Sequence, residues 1–211
     1  MLLNLTEIKQ TKKHRYALFI EGEFAFSVDE ETLFKFHLEA KRAISQEELD
    51  EIREESDYRY GREKALSLLS YKDYTKKELF QKLSRLIDQS VAQRVCDRME
   101  ELSLIDDESY ANRYARDLFN IKHLSPNMIE RELYKKGLSQ DLIINAVSQF
   151  EDNDLEPTLA SFVLKKYSHK LGDEKGIKSL TGILLRRGYS YEQIKSVISN
   201  LTLDINYYDN Y

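Results

Sequence analysis

Three stretches of this chain repeat one pattern about fifty residues apart, and nothing else in the sequence narrows the fold as much. Leu83, Leu133 and Leu184 occupy corresponding places, and two of them lead into a basic pair and a glycine, Lys135-Lys-Gly137 and Arg186-Arg-Gly188. From about residue 61 onward a period of that size decides the architecture, a supersecondary unit used three times. Each unit reads as three short helices. In the first, Ala65, Leu66 and Leu69 mark one helix, Thr75-Lys-Lys-Glu78 caps the second ahead of Leu79 and Leu83, and Asp88 caps the third, with Val91, Val95, Met99 and Leu102 inward. The second unit runs from Tyr110 to Phe119, restarts at Ser125-Pro126 as N-cap and first helical residue, and ends on a helix from Ser139 through Leu142, Ala146 and Phe150. The third begins at Glu156-Pro157, has Leu180 and Leu184 on its middle helix, and closes with Ser190-Tyr-Glu-Gln193 capping Ile194, Ile198 and Leu201. The first unit has no glycine in Ser84-Arg-Leu-Ile87, so its turn must be built differently.

The first 30 residues carry a different signal. Arg15-Tyr-Ala-Leu-Phe-Ile-Glu-Gly-Glu-Phe-Ala-Phe-Ser-Val28 places β-branched and aromatic residues on both sides of a glycine, which predicts a hairpin. A three-residue loop at Glu21-Gly22-Glu23 pairs Ile20 with Phe24 and puts Tyr16, Leu18, Ile20, Phe24, Phe26 and Val28 on one face. A two-residue loop would separate those sets, so the longer loop is expected. Leu3 to Ile8 could add a third strand, and the small sheet needs a helix to cover it. Asp29-Glu-Glu-Thr32 reads as a helix start, and Ser45-Gln-Glu-Glu48 as a capping box ahead of Leu49 and Ile52. The expected divisions are residues 1–57 for the hairpin and its helices, 58–105, 106–152 and 153–203 for the three units, and 204–211 for a flexible tail. Asn153 to Pro157 is the best linker candidate. The fold class is therefore mainly α, with tandem three-helix repeats behind a small N-terminal β-hairpin-containing section.

Composition narrows the function. Two prolines and seven glycines in 211 residues favour helix over a turn-rich β fold, and no apolar run approaches the roughly 18–20 residues a membrane span needs. A single cysteine, Cys96, excludes an intrachain disulfide and points to the cytoplasm. The formal charge of −5 argues against a general nucleic-acid coat. Its distribution matters more, because residues 1–60 hold 9 basic and 14 acidic residues while the rest of the chain is balanced. Balanced helical units can still present one basic face each.

The stretch from Glu101 to Asp117 joins the first unit to the second with almost no linker. Asp106-Asp107-Glu108 sits where a helix begins, so the three acids read as caps for free backbone N–H groups rather than as a catalytic cluster. Tyr110 and Tyr114 follow on the apolar side of that helix, where packing is favoured over base stacking. No phosphate-binding loop, dinucleotide fingerprint or zinc-helix motif occurs. His14, His37, His123 and His169 lack metal-ligand spacing, and Cys96 sits inside a helical pattern as a small apolar residue. No enzyme activity, cofactor or metal is expected.

Taken together, Leu102-Ser-Leu-Ile-Asp-Asp-Glu-Ser-Tyr-Ala111, Ser125-Pro-Asn-Met-Ile-Glu-Arg-Glu-Leu-Tyr-Lys-Lys-Gly137 and Leu184-Leu-Arg-Arg-Gly-Tyr-Ser190 resemble the RecX family, regulators of the bacterial RecA recombinase. The resemblance covers residues 60 to 200, and Arg15 to Val28 resembles the extra N-terminal section of Gram-positive members. Ser125 stands where the family often has glycine, and the first unit lacks its glycine; both departures concern turns. The resemblance implies that the three-helix repeats form an elongated, curved array that binds along the groove of a RecA–single-stranded DNA filament; a monomer is expected. It implies inhibition of filament growth, ATP hydrolysis and strand exchange, in recombination, DNA repair and SOS regulation. Direct contact with single- or double-stranded DNA would be weak, and no membrane is involved.

The residues expected to make those contacts are basic. Lys76, Lys77, Lys82 and Arg85 lie on and just after the second helix of unit one. Arg131, Lys135 and Lys136 occupy the equivalent helix of unit two, and Arg186 and Arg187 that of unit three. Arg113, Arg116 and Lys122 could line the same groove. A cluster recurring in each unit would form a stripe if the units stack regularly. The alternatives are a solvated helix face whose cations sit near C-termini for the helix dipole, and a stand-alone DNA-binding protein built of helix-turn-helix-like modules.

Overall fold

The structure, a computed structural model, describes residues 2–11, 15–150 and 152–208, without the side chains of 152–154 and 204–208. The chain divides into two compact units, Met1–Ile105 and Asp106–Tyr211. Ten α-helices and one four-stranded antiparallel sheet occur among the described residues.

The first unit opens with strands β1 (Leu2–Gln10), β2 (Arg15–Ile20) and β3 (Glu23–Asp29), then helix α1 (Glu30–Lys35), strand β4 (Arg42–Ser45) and helix α2 (Gln46–Leu69). The sheet order is β3-β2-β1-β4. Strand β4 has no alternating pattern to announce it; its Ile44 is fully buried, and Leu3 pairs with it across the sheet edge. The hairpin corrects the expected three-residue loop. Glu21 and Gly22 form a two-residue turn with φ of 49° and 84°, so Ile20 pairs with Glu23 and Phe19 with Phe24. A bulge between Leu18 and Phe19 then shifts the ladder by one, and Leu18 meets Phe26 and Tyr16 meets Val28 as the apolar pattern requires. The turn sets the tip and the core face sets the body. Phe24 absorbs the mismatch by lying 60% exposed against the edge of Phe19.

Helix α2 is the part of this unit that the sequence hides. The division expected at 57/58 falls inside its 24 residues. Leu49, Ile52 and Ser56 are buried in its first half and Gly61 and Ala65 in its second. At about 100° per residue these two sets lie about 170° apart around the axis. The first set joins Leu5, Leu18, Val28 and Ile44 beneath the sheet, and Ala65 joins Leu79, Leu83, Val95 and Met99 in a second core. The buried face changes sides midway, so no single helical period runs through Glu54–Tyr60. Ser56 is held at the crossover, where its hydroxyl accepts from Arg15 and donates to the Ser27 carbonyl.

Helices α3 (Lys76–Leu83) and α4 (Gln89–Glu101) complete the first three-helix unit. Thr75 and Glu78 form the full capping box expected of them, whereas Ser45 caps α2 alone because the Glu48 carboxylate turns to Arg42. Without a glycine, the turn after α3 is made by the Leu83 carbonyl, which accepts from both Leu86 and Ile87 N–H. Leu102, expected inward, is 42% exposed; Ile105 fills that role. Ser103 reverses the chain with φ 55°.

The second unit contains α5 (Asp107–Asn120), α6 (Pro126–Lys135), α7 (Gln140–Ser148), α8 (Asp152–Tyr167), α9 (Glu174–Arg186) and α10 (Tyr191–Tyr208). One hydrophobic core runs through all of them, from Ala111 and Leu118 to Ile198 and Leu201. The expected linker at Asn153–Pro157 lies within α8. Pro157 stands inside that helix, past the first turn, where its ring removes a backbone hydrogen bond. Helix α10 continues through residues 204–208 of the expected tail; 209–211, like Glu151 and His14, lie outside the described residues.

Gly61 tests how tightly α2 packs on the second core. A Cβ there would lie 2.6 Å from the Ile87 Cδ1 atom and 3.2 Å from Val95 Cγ2. Ile87 can give at its flexible end, so Gly61→Ala is expected to be near neutral once helix propensity is gained. Gly61→Leu is expected to lose about 1–3 kcal/mol by overpacking. Denaturant midpoints of the two variants decide it.

Candidate functional site

The middle helices of the three repeats are set in register by pairs of aliphatic residues with no exposed surface: Leu79 and Leu83, Ile129 and Leu133, Leu180 and Leu184. In that register the twelve basic candidates separate. Arg85, Lys135 and Arg186 fall at one position, two residues past the second buried leucine, and all three are exposed. The next position holds Leu86, Lys136 and Arg187. Lys76, Lys82 and Arg131 have no basic counterpart in the other units: Lys82, for example, corresponds to Glu132 and Ile183; Lys77 has one in the third repeat, Lys178, but Asn127 in the second. Among these candidates, the Arg85 position alone holds an exposed cation in all three repeats.

Several candidates already have partners. The Lys76 ammonium lies 2.7 Å from both Asp97 and Glu100 on α4, which raises its pKa above the usual lysine range and holds α3 on α4. Lys82 stands over the Tyr74 ring, Lys135 pairs with Glu132 at 2.6 Å, and Lys136 stands over Tyr114. Arg116 donates to Gln149 Oε1 at 2.7 Å and Arg113 reaches back to the Ser109 carbonyl. Lys77 and Lys122 are exposed.

Arg187 departs furthest from the expected stripe. Its guanidinium donates to the Lys122 carbonyl and lies 4.8 Å from the centre of the Phe162 ring. His123, in a left-handed conformation at φ 51°, stacks on the same ring at 4.1 Å. The Arg187 carbonyl accepts from Ser125 N–H, and Gly188 at φ 90° packs so close that a Cβ would meet Ser125 Oγ at 2.4 Å. The basic turn of the third repeat is thus seated on the start of α6, and Arg187 acts as a staple between the two repeats. Sequence spacing cannot tell it from Arg186, its solvent-facing neighbour.

The other chemical candidates resolve into packing. Asp106 caps α5 by accepting from Ser109 N–H at 2.8 Å. Tyr110 and Tyr114 pack on the core with rings 5.7 Å apart. Cys96 has no exposed surface, and burial pushes its thiol up to about 11, the wrong direction for a nucleophile. No helix among the described residues is long and apolar enough to cross a membrane.

These features define a class: a helical-repeat protein whose units each present an exposed cation at an equivalent position. Comparison with known proteins makes it specific. Residues 4–45 match the regulatory protein RecX N-terminal domain, 62–99 the RecX first three-helix domain, and 106–147 the RecX second three-helix domain. The regulatory protein RecX of Clostridioides difficile (strain 630) is 30% identical over 210 residues, spanning 97% of this chain and 98% of its own. That of Staphylococcus epidermidis is 30% identical over 197 residues, 92% of this chain and 74% of its own. A crystal structure of regulatory protein RecX superposes with a TM-score of 0.64 at 22% identity, over 92% of this chain and 98% of that one, which speaks to the fold. The crystal structure of RecX from Lactobacillus salivarius gives 0.58 at 30% identity, over 70% of this chain and 97% of that one. The chain belongs to the RecX family of regulatory proteins.

Arg187→Ala is expected to cost about 2–3 kcal/mol, from a charge-assisted hydrogen bond and a cation–π contact. Arg186→Ala is expected to stay within about 0.5 kcal/mol of the parent. Urea unfolding of both separates staple from surface. His123 adds a pH dependence: burial first, then Arg187, Lys166 and Lys165, depress its pKa below the usual 6.5. Unfolded chains then bind a proton that the folded one resists, so stability falls as pH drops from about 6.5 toward the folded-state value. His123→Asn, which tolerates the left-handed backbone, should flatten that fall in the same assay.

Proposed function

We propose that this protein binds the RecA–single-stranded DNA filament along its groove, as a cytoplasmic monomer without catalytic activity of its own. Its binding restrains filament extension, RecA's ATP hydrolysis and strand exchange. The division of labour proposed along the chain is residues 1–57, 58–105, 106–152 and 153–203, with α2 bridging the first two. The observation that carries the reading is the column Arg85, Lys135 and Arg186, one exposed cation per repeat at an equivalent position. A filament offers its own identical sites at regular intervals, and a chain with one cation per repeat suits such a lattice. The twelve basic candidates contribute unequally. Arg85, Lys135, Arg186, Lys77 and Lys122 face outward for contact, while Lys76 and Arg187 hold the repeats that present them. Binding that favours one filament state over another shifts ATP hydrolysis without touching the nucleotide.

The test is RecA's DNA-dependent ATPase at substoichiometric amounts of this protein, where inhibition is expected. No inhibition and no filament association would overturn the reading. Combined Arg85→Glu, Lys135→Glu and Arg186→Glu is expected to weaken filament binding with the melting temperature unchanged. If those cations meet phosphates, the salt dependence of binding also falls, by about one unit of slope for each phosphate that is no longer neutralised.

A further inference from the structure

A groove of about 360 Å³ lies between α6 and α7, lined by Glu130, Arg131, Tyr134, Lys135, Gln140 and Ile143. Ile143, 2% exposed, forms its floor, and Tyr134 rises beside it 71% exposed. Ile144, the next residue on α7, is 51% exposed. In the register set by the buried leucines and the Asp88, Ser139 and Ser190 caps, the third repeat places Leu185 (48% exposed) at the Tyr134 position, Tyr191 (60% exposed) at that of Gln140 and Ile194 at that of Ile143. The first repeat places Ser84, Gln89 and Ala92 there. Two of the three repeats thus expose apolar surface to water at one shared place, while the first keeps it polar. Exposed tyrosine beside arginine over an apolar floor is the composition of an interface anchor site.

The charges around the groove choose its occupant. A phosphodiester strand would meet Glu130 on the lining and Glu132 beside it, and the Lys135 ammonium is already paired with Glu132. A rim of both signs around an apolar floor complements a protein surface instead. We infer that the α6–α7 groove is a protein-docking site that receives a bulky apolar side chain of its partner, with a flanking carboxylate on Arg131. The inference rests on the proposed function only for the partner's identity: a RecA subunit of the filament, not its DNA.

Full-length protein with Tyr134→Ala, Tyr134→Phe or Arg131→Glu would be titrated against a preformed RecA–single-stranded DNA filament and against the same DNA without RecA. Tyr71→Ala, at a residue 91% exposed in the first repeat, is the control. Expected are a loss of about thirtyfold in filament affinity for Tyr134→Ala, a weakening for Arg131→Glu and little change for Tyr134→Phe or Tyr71→Ala. Binding to the bare DNA should be unchanged throughout. Tyr134→Ala binding the filament as the parent does would overturn the docking site while leaving the proposed function standing. An equal loss on bare DNA would overturn it in favour of a nucleic-acid contact. Failure of the parent itself to bind the filament would overturn the proposed function and, with it, the partner named here. Because Tyr134 lies on the surface, circular dichroism of the variants is expected to match the parent.

Discussion

Each repeat of this chain hangs on two buried aliphatic side chains one turn apart on a short middle helix. Helices of 8, 10 and 13 residues are marginal alone in water. Full burial of Leu79 and Leu83, or of their counterparts, contributes about 1.5–3 kcal/mol per side chain and fixes how each helix is rotated about its axis. That rotation has an electrostatic result. A residue two places past the second leucine is turned about 200° from it and must face solvent. Arg85, Lys135 and Arg186 are presented outward because the leucines point inward. The cations depend on the core for their position, although they contribute little to it.

The same core logic works differently in the two halves. In the second half a single core spans two repeats, and their seam is closed by polar and aromatic contacts: Ser125 N–H on the Arg187 carbonyl, Gly188 against α6, and Arg187 and His123 on Phe162. In the first half two cores stay separate, beneath the sheet and among α3 and α4, and share only α2. Cation placement follows this difference. Lys76 is drawn to Asp97 and Glu100 inside its own repeat, whereas Arg187 is drawn across a seam to the neighbouring repeat.

Much of this is legible from residue spacing, and the exceptions share a cause. Caps at Thr75, Asp88, Asp106, Ser125, Ser139 and Ser190 are where the sequence places them, because a cap is a local interaction within three residues. Features that answer to two neighbours at once escape such a reading. The hairpin satisfies both a tight Glu21-Gly22 turn and an apolar face, and needs a bulge to do so. Helix α2 buries opposite sides at its two ends, which cancels the periodicity that reveals a helix. Arg186 and Arg187 are chemically alike in the sequence, and only the position of Phe162 and the Lys122 carbonyl separates surface from staple. The groove beside Tyr134 leaves even less trace, since an exposed aromatic on an otherwise ordinary helix breaks no pattern.

The change of buried face along α2 also sets how finely the protein can be divided. In a repeat protein each unit contacts only its neighbours, so the seams between units are the natural places to divide it. Here the seam between the sheet and the first repeat runs through the middle of one rod. A fragment starting at residue 58 would lose the Ser45 cap and half its helix, while the part left behind would keep Leu5, Leu18 and Ile44 without Leu49 and Ile52 fully secured above them. As a building block, then, the sheet has no independent edge: it travels with the first repeat or not at all.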